Sequence, residues 1–198
     1  MPKLVDHAER RLDLARTVCR CLESEGVHGL RLRSVARAAG VTTGAIAHYF
    51  ESKDELITAA LDVATAESTR RGEAEDPTDL DGLVELLLAG SPNKEHNLRG
   101  WRVWMSFWSL TASDERLAAG SAAKYDEWIA LVERALRKLA SQGKIADVDL
   151  DQSALNLVAM VDGLAVQACL DVSNWPVERQ RSVTRDCVER LLRPPDGP

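Results

Sequence analysis

Residues 31–56 read RLRSVARAAGVTTGAIAHYFESKDEL, and the architecture turns on how that stretch is parsed. Leu32, Val35 and Ala36 make a short apolar stripe at helical spacing, closed by Gly40. Thr42 opens a second short helix reaching Tyr49, where its hydroxyl is placed to cap the first free amides. Two such helices joined through Ala39-Gly40-Val41 cross steeply only if the turn is tight. Gly40 supplies a free φ, Val41 is placed to plug the crevice, and Ala36 and Ala45 are small where the helices approach. This is the pattern of a helix-turn-helix, whose second helix fits the major groove of DNA. A hairpin used only for packing accounts for the glycine and the small residues as well. It does not account for a second helix that offers Thr42, Thr43, His48 and Tyr49 and no carboxylate. A groove-facing surface has to avoid acidic groups because phosphates flank it on both sides.

Working outward, residues 7–25 put Leu12, Ala15, Val18, Cys19 and Leu22 on one helical face, and Gly26 stops the run. This helix covers the back of the unit. On the other side, Ser52 and Glu55 form a capping-box pattern that opens a fourth helix through Leu56, Ile57, Ala60, Leu61 and Ala64. Residues 72–82, acidic and carrying Pro77 and Gly82, read as a loop. Helices follow at 83–89, at 97–111 after the breaker run GSPNKEHN, and at 117–142, with Gly143 as the stop. The 117–142 helix carries Tyr125, Trp128, Val132, Leu136 and Leu139 on one stripe. Two more span 150–170, with Asp149 and Gln152 as caps, and 176–192, before the tail PPDGP. No repeat and no convincing strand emerges. The expected fold is all-α: a helix-turn-helix DNA-binding domain over 1–52, then a helical ligand-binding and dimerisation domain over 53–198.

Charge agrees with this division. The formal charge of the chain is -6, but residues 1–50 hold eight Lys/Arg against five Asp/Glu. Lys3, Arg10, Arg11, Arg16, Arg20, Arg31, Arg33 and Arg37 form a basic module on an acidic body, compatible with DNA binding by the module alone. No secretory signal is apparent and no run approaches the roughly 20 apolar residues of a membrane span. Cys19, Cys21, Cys169 and Cys187 suggest no disulfide framework, so a cytoplasmic protein with reduced thiols is expected. The histidines His7, His28, His48 and His96 form no i, i+4 pair, and Cys19-Arg20-Cys21 lacks a second pair. No nucleophile elbow or phosphate-cradling loop is present. Neither a catalytic residue, a metal ligand nor a cofactor is expected.

The run GLRLRSVARAAGVTTGAIAHYFESKDELITAAL, in particular VA (35–36), AAGV (38–41), Thr42, Gly44, Ile46, YF (49–50) and SKDEL (52–56), resembles the DNA-binding domain of the TetR family of transcriptional regulators. The resemblance implies that the helix from Thr42 to Tyr49 enters the major groove and that Tyr49 and Lys53 hold the DNA backbone. Two departures limit what is carried over. The family commonly has a Tyr at the place of Ala47. A Thr usually caps the helix before the turn, where Arg31 stands; Arg31 cannot cap but can reach a phosphate. Candidate DNA contacts are therefore Arg31, Arg33, Thr42, Thr43, Gly44, His48, Tyr49 and Lys53. RVWMSFW (102–108), QGKI (142–145) and LVAMVDGLAVQACL (157–170) resemble the BetI-type branch of the family. That implies a homodimeric repressor on a palindromic operator, released by a small-molecule effector.

The C-terminal part offers candidates for both tasks. The helices 150–170 and 176–192 are apolar enough to form a dimer interface, with Val177, Val183, Val188, Leu191 and Leu192 in excess of a solvent-facing helix. Both also read as plain core. Trp101, Trp104 and Trp108 share a helix face flanked by Phe107, and with Trp128 they are either core or the lining of an aromatic pocket. Asp162 interrupts an apolar run and needs a partner when buried: a salt bridge, a cross-dimer hydrogen bond or a ligand. Gly163 beside it is expected to let another backbone approach. Candidate ligand contacts are Trp101, Trp104, Phe107, Trp108, Trp128 and Asp162. BetI-type members include sensors of choline-like cations, so the resemblance implies an aromatic or cationic effector. Two alternatives are an activator or co-repressor-dependent regulator of the same fold, and a helical sensor that has lost DNA binding.

Overall fold

The computed structural model describes residues 7–92, 95–111 and 115–193. Lys3 and the tail at 194–198 lie outside the described residues, as do the side chains of His28, His96 and Leu117. The described residues form helices and no strand: α1 His7–Gly29, α2 Leu32–Ala39, α3 Thr43–Ala47, α4 Lys53–Ala74, α5 Leu80–Ala89, α6 Glu95–Thr111, α7 Glu115–Ser141, α8 Leu150–Leu170 and α9 Val177–Leu192. They divide into two compact units. One comprises the described residues within 1–66 and 102–121, the other those within 67–101 and 122–198, so α4, α6 and α7 contribute to both.

In the first unit, Leu14, Val18 and Leu22 of α1, Val35 and Ala36 of α2, Ile46 of α3 and Leu56, Ile57 and Leu61 of α4 share one core with Val103 and Phe107 of α6. The core stripe of α1 is shifted from the one expected. Leu14, four residues before Val18, is buried, whereas Leu12 is out of phase with it and exposed. Leu32, at the first position of α2, is exposed too. Gly26 departs from helical geometry at φ 64°, ψ 177°, so the expected stop is a kink and the chain makes a further turn to Gly29. Gly40 ends α2 in the left-handed region at φ 65°, its N–H returning to the carbonyls of Ala36 and Arg37. Val41 packs on the core, closing the turn as its position predicts.

In the second unit, α5, α8 and α9 pack together, and their buried side chains join those of α7: Leu83, Leu87, Val132, Leu136, Leu157, Val161, Val188 and Leu192. Val188 and Leu192, candidates for an interface, are thus wholly core. Asp149 caps α8 by accepting from the Gln152 amide at 3.0 Å. Glycines 72 and 82, expected in a loop, lie inside α4 and α5. The reason is packing at the one and capping at the other. A Cβ on Gly72 would come within 2.7 Å of the Trp128 ring and 2.8 Å of Leu131, so only glycine lets α4 lie this close to α7. Gly82 sits one turn inside α5, where its amide satisfies the Asp79 cap at 2.8 Å.

By length and composition α8 is apolar enough to cross a bilayer, contrary to the expectation from sequence. Its Leu157, Val158, Val161, Leu164 and Ala165 are buried within the second unit.

Candidate functional site

The helix-turn-helix is built from local capping. The Thr42 hydroxyl accepts from the Ala45 amide at 3.1 Å, satisfying one of the free donors of α3. The helix is shorter than its sequence suggests: five residues, with His48 at its C-cap and Tyr49 already in the following turn. Only Ile46 is buried; Thr42, Thr43, Gly44, Ala47 and His48 are exposed, and Tyr49 is half-buried. A Cβ on Gly44 would meet nothing closer than Thr42 Oγ1 at 3.8 Å, so the outer face of α3 is open there. Arg31 and Arg33 are exposed at the start of α2. Arg31 is extended and makes no side-chain cap, as its chemistry requires.

The turn from α3 to α4 is held by a set of bonds that spacing alone does not reveal. Ser52 Oγ accepts from the Glu55 amide at 3.1 Å, the forward half of the expected capping box. The return bond shifts by one residue: Glu55 Oε2 accepts from the Glu51 amide at 2.7 Å. The other oxygen, Glu55 Oε1, accepts from Arg11 Nη2 at 2.7 Å. Arg11 Nη1 donates to the Tyr49 carbonyl, and the guanidinium lies 4.3 Å from the centre of the Phe50 ring. The Glu51 amide first, and the Arg11 guanidinium second, hold the Glu55 carboxyl below the usual carboxylate range. His7 stacks on Tyr49 at 4.6 Å between ring centres and stands 5.9 Å from His48. Sequence reasoning missed both α1 residues, because no spacing rule connects positions this far apart. Lys53, exposed at the first position of α4, follows the same turn.

The other candidates separate between the two units. Trp104 and Trp108 of the first unit are half-buried, their rings 6.2 Å apart and tilted by 56°. Phe107, between them, is fully buried in the core. In the second unit Trp101 is 8% exposed and donates its indole N–H to the Gly90 carbonyl at 2.6 Å. Trp128 packs against Gly72 and Gly90. Asp162 takes a hydrogen bond from Tyr125, but burial dominates and pushes its carboxyl up to about 6. The partner is thus a phenol from α7, one turn before Trp128, and not a cation. Gly163 is exposed and, among the described residues, nothing lies within 4 Å of a Cβ built there, so they make no close backbone approach of the kind expected. None of the four cysteines is in a disulfide; Cys19 and Cys21 are buried, and the Cys19 thiol donates to the Ala60 carbonyl at 3.1 Å. Among the described residues, no group of three or more His, Cys, Asp or Glu is placed to hold a metal ion.

Residues 16–60, which contain the whole helix-turn-helix, match the family model of bacterial regulatory proteins of the tetR family. Residues 78–193 match the C-terminal domain of the BetI-type transcriptional repressor, more than half of the chain. The chain belongs to the TetR family. It is 30% identical over 195 residues to the HTH-type transcriptional regulator PksA of Bacillus subtilis, covering 96% of this chain and 94% of the relative. It is 27% identical to the HTH-type transcriptional regulator BetI 1 of Chromohalobacter salexigens, covering 97% and 95%. A transcriptional regulator from Saccharomonospora viridis, solved in complex with choline, superposes with a TM-score of 0.80 at 26% identity, covering 93% and 98%. This TetR-family chain is therefore a helix-turn-helix transcriptional regulator whose C-terminal domain is of the BetI repressor type. Its relatives are transcriptional regulators.

Proposed function

We propose that the chain works in the cytoplasm as a homodimeric repressor, binding a palindromic operator and leaving it when a small cationic effector binds. The observation that carries the DNA half is the open face of α3, free of carboxylates and followed at once by Tyr49 and Lys53. In this reading Thr42, Thr43, Gly44 and His48 meet base edges, while Arg31, Arg33, Tyr49 and Lys53 meet phosphates. Residues 1–52, together with Lys53 at the start of α4, supply the DNA contacts, and the remainder of 53–198 supplies effector binding and dimerisation. A single five-residue helix reads few bases; a dimer doubles the contacts and sets the spacing of the two half-sites.

For the interface, support comes from the outer face of α8. Leu155 is 46% exposed, Leu170 69% and, just beyond the helix, Val172 56%, with exposed Ala159 and Gly163 between the leucines. An apolar stripe interrupted by small residues suits close helix packing across a two-fold axis. Val177, Val183 and Leu191 of α9 are half-buried and stay in this proposal.

For the effector, Asp162 supports a cation. A half-buried carboxylate with the Tyr125 hydroxyl on it, and Trp128 one turn along α7 from that tyrosine, offers charge and aromatic surface for a quaternary ammonium. The choline held by the Saccharomonospora regulator belongs to the same chemical class. In the second unit Trp128, one turn after the Tyr125 that bonds Asp162, and Trp101, nearly buried, stay in this proposal as aromatic contacts. In the first, Trp104 and Trp108 are the aromatic surface on offer, held by the buried Phe107.

Selection of random duplexes on the purified protein at physiological salt, with and without choline, tests this reading. The expected result is an enriched palindrome with half-sites about 34–36 Å apart, lost from the bound pool when choline is added. Retention that strengthens with choline makes the protein a co-repressor-dependent regulator. Failure to retain any DNA leaves a sensor without an operator.

A further inference from the structure

We propose that Arg11 is a positioning residue for operator binding: it acts with Glu55 to hold the turn that presents Tyr49 and Lys53 to the DNA backbone. The inference rests on the reading that those two residues touch phosphates.

Arg11 lies on α1, outside the helix-turn-helix, and its charge looks like one more contribution to a basic module. Its donors are directed inward. One amino group is given to the Tyr49 carbonyl and the other to Glu55 Oε1, while the flat face lies against Phe50. Glu55 in turn divides its two oxygens between Arg11 and the Glu51 amide, and its own amide rests on Ser52. Tyr49, Phe50, Glu51, Ser52 and Glu55 are thus each gripped by a member of one network, and Lys53 lies within the span they enclose. His7, one turn before Arg11, adds a ring against the Tyr49 side chain.

The chemistry points to placement and not to fold stability. The Arg11–Glu55 pair is 36% and 37% exposed, and a pair so wetted is worth little to the fold. What it supplies is geometry. A planar fork reaches a carbonyl and a carboxylate at once while stacking on a ring; a lysine ammonium, a single point of charge, cannot do all three. Without the fork the turn keeps its residues but loses the register in which hydroxyl and ammonium meet successive phosphates.

The test uses the full-length protein and the palindromic duplex recovered by the selection above, with affinity measured across a salt series. Arg11→Ala and Glu55→Gln are each expected to weaken binding roughly tenfold and to flatten the salt dependence by about 0.9 in log–log slope for each phosphate no longer neutralised. Helical circular dichroism and choline binding are expected to stay unchanged in both. Arg11→Lys keeps the charge and is expected not to restore affinity. The double variant Arg11→Ala/Lys53→Ala is expected to bind no more weakly than the weaker single variant, because Arg11 acts through the turn. Full additivity in that pair, or rescue by Arg11→Lys, would make Arg11 a phosphate contact in its own right and overturn the proposal. An unchanged salt slope in Arg11→Ala and Glu55→Gln, with Lys53→Ala and Tyr49→Ala both weakening binding, overturns it as well. If Lys53→Ala and Tyr49→Ala bind normally, the underlying reading fails first and leaves Arg11 nothing to position.

Discussion

The Tyr125 hydroxyl donates a hydrogen bond to the Asp162 carboxylate, tying α7 to the middle of α8. The bond favours the ionised carboxylate, yet burial outweighs it and the folded group titrates at about 6, above its ordinary 3.8. The folded chain therefore holds this proton more tightly than the unfolded chain. The stability it contributes is complete below the unfolded value and is lost as pH rises through about 6. Thermal melting of the wild type and Asp162→Asn from pH 4 to pH 8 reads this directly. The wild type is expected to lose ground to the variant as pH rises through this window, by about 1–3 kcal/mol, and then to run parallel with it. A constant difference would place the carboxylate in water.

Gly40 sits at φ 65° with nothing within 4 Å of a Cβ built on it. Space is therefore not the obstacle to a side chain; the backbone is. Gly40→Ala is expected to lower unfolding free energy by about 1–2 kcal/mol, seen as a lower urea midpoint at an unchanged slope. A lowered slope would mean that the turn region no longer folds with the rest.

Gly44 presents the opposite case. Its φ is not in the left-handed region and the surface outside it is open. Gly44→Ala is expected to raise stability by up to about 1 kcal/mol through helix propensity while weakening operator binding, since the methyl stands on the face that the proposed reading turns to the groove. Equal DNA affinity would show that α3 does not approach bases at this point.

Gly72→Ala drives a methyl into the Trp128 and Leu131 side chains. Overpacking of this kind costs about 1–3 kcal/mol, here offset in part by the gain in propensity. Trp128→Leu removes much of the obstructing ring, so the two substitutions made together are expected to cost less than their sum. Strict additivity in a double-mutant cycle would separate α4 from the indole.

How much of this is readable from the chain alone varies with the range of the interaction involved. Thr42, Asp149 and Gly40 act on amides or carbonyls a few residues away, so capping and turn rules place them correctly. The core stripe of α7 is also legible, because Val132, Leu136 and Leu139 repeat on one helical face. Contacts between distant segments are not. Arg11 looks no different from Arg10 until Tyr49 and Glu55 are folded against it. Gly72 reads as a loop signal until Trp128 shows that a close helix crossing requires it. Phe107 shares its helix with two half-buried tryptophans, and only the packing of α6 on the first core separates it from them.

Ile46 is the one side chain that α3 buries. The helix is anchored by a single residue, a hydroxyl cap and the turns on either side, while the rest of its surface carries no duty to the fold. Apart from Gly44, where propensity adds to the effect, substitutions at such positions change stability by about 0.5 kcal/mol or less. If these positions read the operator as proposed, that address is free to drift between lineages without threatening the scaffold. On the proposed reading, a regulator of this build acquires a new set of genes by changing a few outward residues on one and a half turns of helix, and an engineer seeking to retarget it has the same few positions to vary.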